Sequence, residues 1–212
     1  MKKKICFLLD KKNNWLLYYC KKFININKKY NIKIFYNFKK IFNYDYIFVL
    51  GFTKILPSYF LQRNNLVMVI HESDLPKGKG KSPIQWQILD NKSVIRVNLI
   101  RLIKKLDGGD IILSDKITFN GSELYDEIRY KQAEKTLEII NKFLKLKKVK
   151  FKKQIGKETF FKSRSKVDSK LNFKASIKKN FNILRIANNK YWPAFFYHKG
   201  YKYTLKIFKE KI

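Results

Sequence analysis

Four short apolar runs constrain this chain more than any other feature: "KICFLLD", "IKIFYNF", "YDYIFVLGF" and "LVMVIH". Each is too short for a typical helix and almost continuously apolar, the pattern of strands buried on both faces. Between the first two, "NNWLLYYCKKFININKKY" repeats Trp15, Tyr19, Phe23 and Ile26 at helical spacing. Strands alternating with helical connections predict an α/β chain with an open, mostly parallel sheet. Ligands of such sheets bind beyond the carboxyl ends of the strands, which directs attention to the loops beginning near Asp10, Gly51 and His71.

Downstream, Pro57 in "LGFTKILPSYFLQRNN" is placed to open a short helix, and Ser82-Pro83 reads as a capping hydroxyl followed by proline at the first helical position. "SVIRVNLIRLI" and "IILSDKITF" are two further strands joined by the turn "KKLDGGD". From Ser122, the acids Glu123, Asp126 and Glu127 open a long helix with Leu124, Ile128, Leu137, Ile140 and Leu144 on one face. The pattern loosens after about residue 150, until "WPAFFYHKGYKYTLKIF" forms a hairpin around Lys199-Gly200. No internal repeat is present.

A length of 212 residues suits one well-buried unit with a small appendage, and 45% hydrophobic content excludes a disordered chain. The formal charge of +32 raises nucleic-acid binding as a reading. Against it, 48 basic residues minus 6 arginines leaves 42 lysines, and these are scattered rather than gathered on one arm. The abundant Lys, Asn, Ile, Phe and Tyr have AT-rich codons, so base composition accounts for much of the excess. Cys6 and Cys20 show no CxxC spacing, and neither a disulfide framework nor a metal site is expected. The apolar run before Asp10 is only five residues, short for a signal peptide, and no segment is long enough for a membrane span. A cytoplasmic enzyme or binding protein without a membrane partner is the expectation.

Two places join ionisable side chains to loops at strand ends. His71 ends an apolar strand, and Asp107 sits in the "LDGGD" turn. A histidine oriented by a carboxylate serves as a general base or an electrostatic stabiliser, although a satisfied strand-end histidine and an Asx-type turn aspartate explain the residues equally. The loop "LPKGKGKSP" combines glycines, Lys77, Lys79 and Lys81 with a following helix start, as an anion-cradling loop does. A solvated lysine turn is the competing reading. The loop is not a Walker motif, and no GxGxxG occurs.

In order, "VIHESDLPKGKGKSPIQWQIL" and "LDGGDIIL" resemble the formyltransferase family that uses N10-formyltetrahydrofolate, over roughly residues 1–150. "ELYDEIRYKQAEKTLEI" and the tail "ILRIANNKYWPAFFYHKGYKYTLKI" are similar to its branch acting on nucleotide-linked amino sugars for surface glycans, a UDP-4-amino-4,6-dideoxy sugar in particular. The resemblance implies a Rossmann-like, mostly parallel sheet of the formyltransferase type. It further implies a catalytic core over 1–150 and a C-terminal extension over 151–212 packing on it with a short β-hairpin. His71 and Asp107 become the catalytic pair. Lys54, Ile55 and Leu56, with Arg101, Leu102 and Leu106, become the walls of the folate pocket. Trp15, Lys77, Lys79, Arg164, Asn188 and Phe195 become acceptor-binding residues, and a homodimer is left open. The family carries an asparagine two residues before the histidine, where this chain has Val69, so one donor for the developing oxyanion is missing.

Methionyl-tRNA formyltransferase is the nearest rival; its further C-terminal domain has no counterpart before Ile212. Phosphoribosyl-glycinamide formyltransferase fits less well, because its glycine loop after the first strand is replaced by "LDKKNNW". A basic nucleic-acid-binding protein that keeps the fold and has lost catalysis through Val69 is the alternative from another class.

Overall fold

A computed structural model describes residues 3–10 and 14–210. The first half runs β1 (Lys4–Leu8), α1 (Leu17–Ile26), β2 (Asn31–Phe35), β3 (Tyr46–Val49), α2 (Ser58–Gln62), β4 (Val67–His71), β5 (Lys79–Gly80) and α3 (Pro83–Leu89). Then follow β6 (Val94–Arg101), β7 (Ile111–Thr118), α4 (Tyr125–Leu144), β8 (Phe160–Phe161), α5 (Ile177–Ile186), β9 (Ala194–His198) and β10 (Tyr201–Leu205). The main sheet has the order β2-β1-β3-β4-β6-β7. Its first four strands are mutually parallel, whereas β6 is antiparallel to β4 and β7 antiparallel to β6. The mostly parallel α/β architecture expected from the four apolar runs is therefore present, together with the β9–β10 hairpin turning at Lys199-Gly200.

Alternation along the strands divides the core between two faces. Phe7, Phe48, Met68 and Leu99 pack with Cys20 and Phe23 of α1 and with Ile128, Ile140 and Phe143 of α4. The intervening residues Cys6, Leu8, Ile47, Val49 and Val67 pack with Ile41, Leu56 and Phe60 on the α2 side. The ring of Phe143 meets Tyr46 and Phe48 edge-on at 4.9 and 5.5 Å. Both cysteines are buried, and burial pushes the Cys20 thiol up to about 12, as befits inert core residues.

Two helix starts depart from expectation. Pro83 does occupy the first turn of α3, but Ser82 adopts a left-handed conformation (φ 55°) and its hydroxyl makes no cap bond. In α4 the helix begins at Tyr125, and Glu127 reaches back to the Leu124 amide at 2.9 Å. Glu123 turns inward instead, meeting Arg185 of α5 at 3.1 Å and Lys131 at 2.5 Å. Helix α5 buries Asn180 and Arg185 beside Leu184 and Ile186 on its inward face. The Asn180 carboxamide ties the 172–176 turn, and the Arg185 guanidinium bonds the Glu123 carbonyl at 3.0 Å.

Burial raises the Glu123 carboxyl, but Lys131 and the Asn120 amide outweigh it and hold the group at about 2. With a folded value below the ordinary 4.5, its stabilisation is complete above that pH and is lost as pH falls toward 2. Arg185→Met leaves a buried carboxylate short of its partner and is expected to cost about 3–5 kcal/mol. Denaturant unfolding near neutral pH checks this, and repeating it between pH 4.5 and 2 should show a flatter profile for Glu123→Gln than for the unaltered chain.

Candidate active site

His71 is the last residue of β4 and shares its strand face with Val67 and Val69, on the α2 side. Its Nε2 lies 2.8 Å from the Gly78 carbonyl, which can only accept, so Nε2 carries a proton. The other ring nitrogen, Nδ1, faces Asp107 Oδ2 at 3.5 Å, a contact 6% and 11% exposed on its two sides. The sequence thus places the histidine and the aspartate together although 36 positions separate them.

Asp107 gets there because the turn between β6 and β7 folds back over the sheet. It adopts φ 44°, a left-handed conformation that Asp tolerates better than most residues. Gly109 permits the closure: a Cβ there would sit 1.7 Å from the Arg101 carbonyl oxygen. Gln154 then clamps the turn by donating to the Asp107 and Gly109 carbonyls at 2.7 and 2.8 Å.

The lysine-glycine loop has a different purpose from anion cradling. Gly78 N–H donates to Thr159 Oγ1, Lys79 N–H to the Thr159 carbonyl, Gly80 N–H to Asp107 Oδ2 at 2.8 Å and Lys81 N–H to the Phe161 carbonyl. No amide from 78 to 81 is left for a phosphate. The glycines are needed because β8 runs alongside: a Cβ on Gly80 would meet the Phe161 carbonyl oxygen at 2.4 Å, and one on Gly78 the Phe161 ring at 2.5 Å. Lys79 is buried with its ammonium on Glu158 at 2.7 Å, a carboxylate shared with Lys105. Lys77 is exposed to solvent.

Of the residues expected to wall the folate pocket, Leu56 and Leu102 join the α2-side apolar cluster, and Leu102 N–H bonds the Val67 carbonyl at 2.8 Å. Ile55 is 95% exposed and Leu106, next to Asp107, is 58% exposed, leaving apolar surface of the kind a flat heterocycle covers. Lys54 and Arg101 are also exposed, with Arg101 over the Phe151 ring. Val69 pairs with Ile100 and offers no donor. Asn98, opposite His71, is committed to the Ser73 carbonyl at 2.6 Å and to Ser114 at 2.5 Å, so it does not take the place of the family's asparagine. The buried Ser73 hydroxyl has no partner among the described residues.

A second concavity lies on the α4 side. Trp15, Tyr19, Tyr125, Asp126, Arg129, Asn188 and Tyr191 line a cleft of about 450 Å³. It continues into a space of about 270 Å³ past Arg129 and Asn188 toward Ser82, Gln85, Arg164 and Trp192. Three of the residues expected to bind an acceptor, Trp15, Arg164 and Asn188, therefore meet there. Lys77, Lys79 and Phe195 do not; Phe195 is buried in the hairpin beneath Lys202. Arg164 bonds the Ile186 and Asp168 carbonyls and Ser169 Oγ, with its buried Nε unpartnered. Burial lowers its pKa from the ordinary arginine value. The Asn188 carboxamide oxygen accepts from the Lys190 and Tyr191 amides, which shapes the turn carrying Tyr191 and Trp192.

Sequence reasoning missed Tyr19, Tyr125, Arg129 and Tyr191 of this cleft, and also Glu72. Tyr125 and Arg129, four apart at the start of α4, were the available signal. The Glu72 carboxyl is buried, which raises its pKa, while His71, Gln132 and Arg129 pull the other way. No helix among the described residues is long and apolar enough to cross a membrane.

A family model described as formyl transferase matches residues 15–144. A methionyl-tRNA formyltransferase of Thermodesulfovibrio yellowstonii is 31% identical over 142 residues, 65% of this chain and 46% of that protein. The chain spans about half the length of the curated relatives it matches. Among solved structures, a methionyl-tRNA formyltransferase from Clostridium thermocellum superposes with a TM-score of 0.85 at 24% identity, covering 99% of this chain and 94% of that one. A 4-N formyltransferase from Francisella tularensis has a TM-score of 0.67 at 18% identity, with 99% of both chains covered. The sheet with its β6–β7 return, the His71–Asp107 contact and the match over 15–144 make this chain a member of the formyl transferase family.

Proposed function

We propose that this chain transfers a formyl group to the amino group of a nucleotide-linked amino sugar, with a UDP-4-amino-4,6-dideoxy sugar as the first candidate. The donor is N10-formyltetrahydrofolate, the co-substrate of the family. The observation that carries the acceptor assignment is the α4-side cleft. Its aromatic walls, Trp15, Tyr19, Tyr125 and Tyr191, alternate with Arg129, Arg164 and Asn188 in a volume suited to a small polar molecule. Aromatic rings stack on a base or sugar, while guanidinium groups pair with phosphate. The apolar strip of Leu56, Leu102, Ile55 and Leu106 beside the catalytic pair fits the pterin.

Chemically, a bond forms between the amine nitrogen and the formyl carbon as the carbon–N10 bond breaks; the amine loses one proton and N10 gains one. In this reading His71 moves that proton. Its Nε2 is fixed on Gly78, which orients the ring, and Nδ1 is the atom open to proton exchange, with Asp107 beside it to stabilise the charge that forms. With Val69 supplying no amide, the ring bears a larger share of oxyanion stabilisation than in relatives with asparagine.

A second reading rests on the curated relatives, which are methionyl-tRNA formyltransferases. Formyl transfer assayed against UDP-, dTDP- and GDP-linked 4-amino and 3-amino sugars, with methionyl-tRNA in parallel, separates the two. Reaction with a sugar nucleotide is expected; transfer to methionyl-tRNA alone rejects the sugar assignment. His71→Ala and Asp107→Asn are each expected to reduce turnover by at least ~100-fold while leaving the far-UV spectrum unchanged. Near-normal rates in both variants would remove the pair from the mechanism.

A further inference from the structure

Consecutive residues at the end of β4 face opposite sides of the sheet. His71 turns to the α2 side, whereas Glu72 turns to α4, where its Oε1 accepts from Gln132 Nε2 at 2.5 Å. Gln132 in turn accepts from Arg129 Nη1 at 2.8 Å. A hydrogen-bonded line therefore runs from the residue beside the catalytic histidine to a guanidinium in the wall of the acceptor cleft. Both inner members are buried, at 8% exposure for Glu72 and 7% for Gln132, so water does not compete along it.

The Arg129 side chain is held from several directions. Its guanidinium carbon lies 4.7 Å from the centroid of Trp15 and 5.3 Å from that of Tyr125, and its Nε donates to the Tyr125 hydroxyl at 3.2 Å. Among the described residues Nη2 has no partner and no carboxylate forms an ion pair with the group. Asp126, the acid of the cleft, sits at its Trp15 and Tyr19 end. A guanidinium held through two of its nitrogens with the third left over is preorganised for an oxygen anion, because little rotamer freedom remains to be lost on binding.

We propose that Arg129 takes the phosphate of the acceptor and that Glu72 and Gln132 are positioning residues which aim it. This rests on the nucleotide-sugar reading above and identifies the group that reads the anionic part of that substrate. Glu72 acts by accepting a hydrogen bond, not by donating a proton to the reaction. Its carboxyl and the His71 ring therefore serve two ends of one substrate from two faces of one strand.

The test measures binding of UDP, dTDP and GDP by calorimetry in the full chain, with tetrahydrofolate binding as the internal control. At least one nucleoside diphosphate should bind, and Glu72→Leu and Gln132→Leu should each weaken it by about tenfold, the loss of one charge-assisted arrangement. Tetrahydrofolate affinity should not change. Glu72→Gln keeps an accepting oxygen and should restore binding, while Arg129→Lys, which keeps charge but loses the fork, should behave like the leucine variants and covers the case in which those fail to fold. Unchanged nucleotide affinity, equal loss of both ligands, or no nucleoside diphosphate binding to the unaltered chain overturns the proposal. If the binding pattern holds but no nucleotide-linked amino sugar is formylated, the relay stands and the acceptor assignment falls.

Discussion

The site depends on the close approach of β8 to β5. That pair is only two residues long, yet it ties the Gly78, Lys79 and Lys81 amides to Thr159 and Phe161 and fixes where the loop can lie. Once fixed, the loop presents Gly78 O to His71 and Gly80 N–H to Asp107, so one short ladder sets the orientation of both catalytic candidates. The glycines belong to this packing: any side chain at Gly80 would drive the Phe161 backbone away and take the Asp107 anchor with it. Residues 158–161, far downstream in sequence, are in this sense part of the active site without facing a substrate. Lys79 contributes to the same clamp through Glu158, where an exposed loop lysine would have contributed only solvated charge.

Much of the architecture was legible because β1, β3 and β4 are apolar throughout, as strands covered on both faces must be. Leu56 and Leu102 lie in the α2-side cluster, where ordinary hydrophobic patterning puts them. Helix α5 was not legible, because polar Asn180 and Arg185 share its buried face with Leu184 and Ile186 and are held there by hydrogen bonds that only the folded chain shows. Nor were β5 and β8: two-residue strands have no period to detect. The capping reading of Ser82 failed because proline fixes the next residue's φ but says nothing of the left-handed geometry before it.

The α4-side cleft was half visible. Trp15, Arg164 and Asn188 come from three distant segments, and only the folded chain shows that α4 supplies the rest of the wall. Glu72 escaped notice since an acidic residue after a strand ordinarily points to water. Here it is drawn under α4 by Gln132, a residue which, read alone, belongs to a charged helix surface.

The turn at 188–192 is built from its own backbone, with Asn188 as its hub and an isolated bridge between Asn188 and Trp192. It forms part of the α4-side cleft wall without sharing a hydrogen bond with the His71–Asp107 contact. Substitutions at Tyr191 and Trp192 can therefore reshape the α4-side cleft while the His71–Asp107 contact stays as it is, so the two halves of this site are free to diverge at different rates.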